Sequence, residues 1–115
     1  TGALIRASVR LGALASGRAD AAALDALETY GHCVGLAFQI RDDLLDVEAD
    51  TERLGKTAGK DAAANKPTYP TTLGLDASRA ELAALTARAL AAIAPLDARA
   101  ALLRELAAFV AARDA

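Results

Sequence analysis

Apolar residues recur along the chain at intervals of three and four, and short polar stretches interrupt them. This period is typical of one face of an α-helix and predicts four substantial helices in the 115 residues. The expected spans are residues 1–15, closed by Ser16-Gly17, then 20–47, 76–94 with Asp76 as N-cap, and 97–113. A short helical piece is expected after Pro70. No segment alternates with the period of a strand, so the pattern predicts an all-α fold.

The last two predicted helices each carry an apolar stripe that would face the core, and we interpret both as scaffold. In the third helix the stripe is Leu82, Leu85, Leu90 and Ile93, and in the fourth it is Leu102, Leu103, Leu106, Phe109 and Val110. Arg113, near the end of the fourth helix, is expected on the surface.

The long second helix combines a stripe of small and polar residues with three carboxylates. Projected at about 100° per residue, that stripe contains Gly31, Gly35, Gln39, Asp42, Asp46 and Asp50. The other sides of the helix carry Val34, Leu36, Ile40, Leu44 and Leu45. We therefore interpret this helix as buried in a bundle, with its glycine side open to a cavity and its acids at the cavity mouth.

Asp42 and Asp46 are four residues apart, so on a helix they share a face with Cβ atoms about 5–6 Å apart. Two such carboxylates can ligate a hard cation, and Mg²⁺ suits them because it fills its remaining positions with water and phosphate oxygens. An acidic triplet on a helix is also commonly a solvated face, since exposed like-charge pairs cost only about 0.2–0.5 kcal/mol. The glycines on the predicted cavity side, Gln39 one turn earlier and the apolar surroundings favour the metal site.

The segment that follows is rich in glycine, lysine and proline, which predicts an irregular loop. Lys56 and Lys66 lie in it, and ammonium groups beside a metal–carboxylate cluster are suited to a diphosphate, whose charge exceeds what one Mg²⁺ cancels. Lys60 is interpreted as an ordinary surface residue.

The chain resembles the C-terminal part of the all-trans polyprenyl diphosphate synthases, most closely the bacterial farnesyl diphosphate synthases (geranyltranstransferases). The resemblance extends over essentially the whole chain and is strongest over residues 31–74. The residues that carry it are a glycine-spaced Phe-Gln followed by Asp-Asp-x-x-Asp (Gly35 to Asp46), then Asp50, Leu54-Gly55-Lys56, Asp61, the segment from Lys66 to Pro70, and the opening segment from Thr1 to Ile5.

The resemblance implies a helical bundle of the isoprenoid synthase type, with residues 1–115 as the C-terminal portion of one domain whose N-terminal half is absent. It implies a cytoplasmic, homodimeric transferase of isoprenoid biosynthesis with Mg²⁺ as cofactor. The implied reaction joins an allylic diphosphate, dimethylallyl or geranyl, to isopentenyl diphosphate and gives farnesyl diphosphate. Because the first aspartate-rich motif and the isopentenyl diphosphate site lie outside this chain, we expect the 115 residues alone to be inactive.

The roles of the motif residues follow from the same resemblance. Asp42 and Asp46 would ligate Mg²⁺, and Asp43 would be a water-mediated partner of the same cluster. Gln39 would lie near the departing diphosphate and the developing allylic cation. Phe38 would line the prenyl pocket.

The resemblance also implies roles for residues outside the motif. Lys56 and Lys66 would bind the allylic diphosphate, and Thr1 would contribute from the neighbouring helix. Asp61 would orient the lysine loop or a metal-bound water, and Asp50 would support the site. Because C-termini in that family can lie near the isopentenyl diphosphate site, Arg113 could approach it, although a surface position is expected.

Composition limits the alternatives. A net charge of −2 argues against a nucleic-acid partner, for which a basic patch is expected. Every apolar run is broken before about 18 residues, so no membrane span is predicted. Cys33 is the only cysteine, which excludes an internal disulfide and is consistent with a reducing compartment. It is expected to be a small buried residue, and His32 to have a packing or surface role.

Two alternatives remain open. One is a synthase with a longer product, such as geranylgeranyl diphosphate, because the residues that decide product length lie outside this chain. The other is a non-catalytic helical interaction subunit with the same fold, in which Gln39, Lys56 and Lys66 would tolerate alanine.

Overall fold

The structure is a computed structural model that describes residues 1–56 and 74–114, with side chains for 1–52 and 74–114. Its elements are α1 (Gly2–Ser16), α2 (Ala21–Lys56), α3 (Leu75–Ile93), a 3-10 segment (Ala94–Ala100) and α4 (Ala101–Ala112). The two described ranges contain no strand, so the predicted all-α class is confirmed. The helical piece expected after Pro70 lies outside the described residues.

The first two helices begin and end near residues with recognisable helix-boundary roles. Gly17 closes α1 in the left-handed conformation, with φ 67°, which glycine adopts without steric cost. The Asp20 carboxylate precedes α2 and accepts a hydrogen bond from the Ala23 backbone N–H at 2.8 Å. The predicted end of α2 at Val47 is wrong, since the helix continues to Lys56. No glycine or proline stands between Val47 and Leu54, so no residue there interrupts the helix.

The boundaries around α3 and α4 also differ from the prediction. Asp76 is not the N-cap: α3 follows Gly74, and Asp76 lies in its first turn, where a carboxylate interacts favourably with the helix dipole. The fourth helix does not begin at Asp97. Pro95 lies at the start of a 3-10 segment, and Asp97 has φ 54° and ψ −137°, so the chain kinks there before α4 begins.

The core is built around α2, which packs against each of the other helices. Its buried side chains are Tyr30, Cys33, Val34, Ala37, Ile40 and Leu44. The stripe predicted for α3 is confirmed, with Leu82, Leu85 and Ile93 buried and Leu90 packed against the core. The expected burial of Cys33 is likewise confirmed, and His32 is exposed.

The stripe predicted for α4 is only partly correct. Val110 is buried and Leu103 packs against the core, but Leu102 is 76% exposed and Phe109 is 64% exposed. Leu106 is also exposed. Ala100 and Ala107 are buried in their place, because small side chains allow the backbone of this segment to lie close to its neighbours.

Tyr30 joins α2 to α4. Its ring is fully buried, and its hydroxyl donates a hydrogen bond to the Leu103 carbonyl at 2.7 Å. Burial raises the pKa of Tyr30 to about 12, because the phenolate would lose its hydration there. The phenol therefore acts as a neutral hydrogen-bond donor inside the bundle.

The glycine side of α2 faces α1. A Cβ built on Gly35 would lie 2.9 Å from the Gly2 Cα, and one built on Gly31 would lie 3.3 Å from the Arg6 Cα. Both α2 glycines are buried, so the interpretation that this side opens to a cavity is wrong at these positions. The glycines instead allow two helix backbones to touch. None of the described helices is long and apolar enough to span a bilayer.

Candidate metal and diphosphate site

Three carboxylates on α2 converge at one point on its surface. Asp42, Asp43 and Asp46 each offer one oxygen, and these oxygens lie within 4.8 Å of one another. The convergence is a product of helix geometry, since Asp42 and Asp43 lie four and three positions before Asp46, and residues so spaced are neighbours on a helix surface. Asp46 is exposed and the Asp42 side chain is 49% exposed, so an ion and its water ligands could approach from solvent.

The donor set is suited to a hard divalent cation. Carboxylate oxygens are the protein ligands that Mg²⁺ prefers, and it usually retains several waters or phosphate oxygens beside one or two carboxylates. Asp42 and Asp46 could supply the direct ligands, and Asp43 a third oxygen next to them. The three residues named from the sequence are therefore together in the structure and fit the implied ion.

Gln39 lies beside this acidic cluster. Its Nε2 donates a hydrogen bond to Asp43 Oδ1 at 3.2 Å, across one turn of α2. The bond orients Asp43 and leaves the exposed amide next to the carboxylates. The expected role of Gln39 toward a bound diphosphate stays a prediction.

The lysines and the supporting acids are only partly described. Asp50 lies one turn beyond Asp46, still within α2 and outside the group of three convergent carboxylates. Lys56 is the last residue of α2, not part of the predicted loop, and its side chain is not described. Lys66 and Asp61 lie outside the described residues.

Phe38 has a partner that the sequence did not indicate. The Arg113 guanidinium lies over its ring, 4.2 Å from the centroid, and Arg113 Nη2 donates a hydrogen bond to the Phe38 carbonyl at 3.3 Å. The same nitrogen lies 3.7 Å from Asp42 Oδ1. The expectation of a surface position for Arg113 is wrong, since its side chain is only 10% exposed.

A second arginine fixes the backbone at this point. Arg41 Nε donates a hydrogen bond to the Arg113 carbonyl at 2.7 Å. Arg41 on α2 thus binds the backbone at the end of α4, and the Arg113 side chain binds the backbone of α2, so the two arginines together fix the end of α4 against α2. The sequence assigns Arg41 no role and predicts a surface position for Arg113, so it indicates neither contact. The available signal was weak: an arginine within the acidic motif, and another distant in sequence, with no local pattern that joins them.

Thr1 lies at the start of α1, next to the contact between Gly2 and Gly35. That contact places the beginning of α1 beside α2 about one turn before Gln39. Thr1 is exposed, and its side chain makes no capping hydrogen bond to α1. The expectation that Thr1 contributes to the site from the neighbouring helix stays a prediction.

Comparison with known proteins shows which family the chain resembles. The family model described as polyprenyl synthetase matches residues 1–102. The farnesyl diphosphate synthase of Escherichia coli K12 is 54% identical over 79 residues, which cover 69% of this chain and 26% of that protein. A chloroplastic geranylgeranyl pyrophosphate synthase of Catharanthus roseus is 44% identical over 115 residues, covering 99% of this chain and 32% of that one.

A solved structure agrees with the sequence comparisons. The crystal structure of a candidate farnesyl-diphosphate synthase from Marinomonas sp. MED121 superposes with a TM-score of 0.79 at 38% identity, over 96% of this chain and 36% of that one. The predicted isoprenoid-synthase fold is thereby confirmed. The chain spans about a third of the length of the relatives that it matches. On the family match and this superposition, the chain belongs to the polyprenyl synthetase family.

Proposed function

We propose that the chain is the C-terminal part of a Mg²⁺-dependent short-chain prenyltransferase, a farnesyl diphosphate synthase. The enzyme would join dimethylallyl or geranyl diphosphate to isopentenyl diphosphate. The observation that carries the proposal is the convergence of Asp42, Asp43 and Asp46, with their oxygens within 4.8 Å of one another, in a chain of the polyprenyl synthetase family.

The carboxylates of α2 and the two lysines would act on the allylic diphosphate. Asp42 and Asp46 would hold Mg²⁺, which supplies charge stabilisation to the diphosphate as it departs. Lys56 and Lys66 would bind the same diphosphate and favour breakage of the allylic C–O bond, because positive groups stabilise the charge that develops on the leaving oxygen. The diphosphate takes the bonding electron pair with it.

Carbon–carbon bond formation follows. The double bond of isopentenyl diphosphate would attack the allylic carbon and form a new C–C bond. The released diphosphate would then accept the proton whose loss gives the product alkene. The Gln39 amide would lie near the allylic cation, and Phe38 would help to exclude water from it. Asp61 would orient the lysine segment, and Asp50 and Thr1 would support the diphosphate site.

We further propose a second acidic motif and an isopentenyl diphosphate site in the rest of the full-length protein, a homodimer, and a location in the cytoplasm. Residues 1–115 alone would then lack turnover. A geranylgeranyl product is the second candidate, favoured by the 44% identity to the Catharanthus roseus protein of that name.

The test is a prenyl-transfer assay on the full-length protein with isopentenyl and geranyl diphosphates, in MgCl₂ and in EDTA. We expect metal-dependent synthesis of farnesyl diphosphate, and chromatography of the product identifies a longer chain if one forms. Asp46→Asn and Lys66→Ala should each lower turnover steeply. Glu105→Gln, at an exposed acid on α4, is the matched control and should retain full turnover.

Absence of metal-dependent transfer in the parent protein would reject the enzymatic proposal. Full activity in Asp46→Asn, Gln39→Ala and Lys66→Ala would instead reject the assignment of the diphosphate site to these residues, whereas a parent protein without transfer would favour the non-catalytic interaction subunit.

A further inference from the structure

Arg113 is held in place by groups on α2 other than the acidic cluster. Its guanidinium stacks on the Phe38 ring at 4.2 Å and donates to the Phe38 carbonyl at 3.3 Å. Its carbonyl accepts a hydrogen bond from Arg41 Nε at 2.7 Å. The side chain is only 10% exposed, so contacts other than the one with Asp42 help to fix the position of this charge.

The Arg113 guanidinium lies within ion-pair distance of Asp42. Asp42 Oδ1 lies 3.7 Å from Arg113 Nη2, whereas Asp43 accepts a hydrogen bond from Gln39. Each of these two carboxylates therefore has a partner that biases its orientation. Attraction of Oδ1 toward Arg113 leaves the second oxygen of Asp42 for another ligand. It also opposes the repulsion that three carboxylates within 4.8 Å of one another exert on each other.

We propose that Arg113 is a positioning residue that orients Asp42 for the divalent cation and couples that carboxylate to Phe38. This inference rests on the proposed function, because it assigns Asp42 to the metal site. Groups that orient metal ligands typically contribute 10–100-fold to metal affinity. The Arg113–Asp42 distance exceeds that of a direct hydrogen bond, so we expect an effect at the lower end of that range.

The experiment measures metal binding itself on the full-length protein. Mn²⁺ is titrated in the presence of inorganic diphosphate, and free Mn²⁺ is followed by electron paramagnetic resonance. Arg113→Ala should raise the Mn²⁺ dissociation constant about 10-fold. Arg88→Ala is the matched control, since Arg88 is an exposed arginine on α3, and it should leave the constant unchanged.

Two further variants separate positioning from a general structural role. Arg113→Lys keeps the charge but loses the planar group that stacks on Phe38. The logarithm of its Mn²⁺ dissociation constant should therefore rise by more than half of the rise in Arg113→Ala. In an Asp42→Asn background, Arg113→Ala should have little further effect, because the residue through which it acts is already changed.

Unchanged or tighter Mn²⁺ binding in Arg113→Ala overturns the proposal, and tighter binding would mean that the guanidinium competes with the cation. An undiminished effect in the Asp42→Asn background also overturns it. If circular dichroism shows that Arg113→Ala does not fold, Arg113→Lys and Phe38→Leu replace it. Mn²⁺ binding equal to that of the parent in both of these variants would then contradict the proposal. Prenyl transfer by the parent protein, assayed separately, distinguishes failure of this inference from failure of the proposed function.

Discussion

Gly35 and Gly2 lie in direct backbone contact, with 2.9 Å between a Cβ built on Gly35 and the Gly2 Cα. Real Cβ atoms essentially never come so close to another atom, and the obstructing atom is backbone, which cannot rotate away. The contact brings the start of α1, with Thr1, beside the helix that carries the acidic cluster.

Gly35→Ala should therefore destabilise the protein by about 1–3 kcal/mol, the usual cost of excess volume in a packed site. Gly12→Ala is the matched control: no atom lies within 4 Å of the added Cβ, and alanine should stabilise α1 by about 0.5–1 kcal/mol. Urea unfolding of both variants measures the two free energies. Equal effects in the two variants would contradict the close packing of α1 on α2.

Tyr30→Phe tests the link between α2 and α4. Loss of the hydrogen bond to the Leu103 carbonyl should cost about 1 kcal/mol at neutral pH, measured by chemical unfolding. The phenyl ring retains the packing of Tyr30, so a much larger loss would point to a different cause.

The same variant tests the alkaline stability. The pKa of Tyr30 is raised from 10.0 to about 12, so between these pH values the folded state keeps a proton that the unfolded state has lost. The free energy of unfolding should then fall as pH rises from 10 to 12, by about 2–3 kcal/mol at 1.36 kcal/mol per pKa unit. Tyr30→Phe should lack this pH-dependent fall. If the free energy of unfolding falls equally with pH in parent and variant, the raised pKa of Tyr30 is excluded as its cause.

Asp46→Asn should change stability in opposite directions without and with metal. Without metal it removes one member of a like-charge cluster and should stabilise the protein by about 0.2–0.5 kcal/mol. With MgCl₂ the parent should gain more stability than the variant, because ligand binding to the folded state raises the free energy of unfolding. Thermal unfolding of the full-length protein in EDTA and in MgCl₂ measures both, with Glu105→Gln as the control. Equal gains in MgCl₂ would argue against metal at Asp46.

Asp97→Gly should stabilise the kink before α4. Within the described residues Asp97 is the one non-glycine residue with positive φ, and a residue with a Cβ is strained there by about 1–3 kcal/mol. Glycine relieves the strain but loses more entropy on folding, so we expect a net gain of about 0.5–1 kcal/mol in chemical unfolding. Ala98→Gly, at a neighbouring residue with negative φ, should destabilise. A loss in both variants would mean that the Asp97 side chain contributes more than the strain costs.

The acidic cluster could be predicted from sequence because its geometry is local. The helix that contains Asp42, Asp43 and Asp46 sets the spacing of their backbone positions, and the structure confirms that their oxygens converge. The same holds for the apolar face of α3, whose large residues repeat with the helical period. The roles of Lys66 and Asp61 stay predictions.

Contacts between distant segments could not be predicted in this way. The helical period gives α4 an apolar stripe, but Ala107 is buried while Phe109 is exposed, because the kink at Asp97 and the packing of small residues decide which side faces α2. The glycine stripe predicts a side of α2 that opens to a cavity, but at Gly31 and Gly35 its neighbour is the backbone of α1.

The sequence by itself therefore determined the helices, the family resemblance and the cluster of acids within one helix. Only the tertiary structure decided what surrounds that cluster: Arg113 on Phe38 and Asp42, and Gly2 against Gly35. The physical reason is that helix formation and spacing depend on neighbours in sequence, whereas these contacts depend on how separate helices approach and rotate against one another.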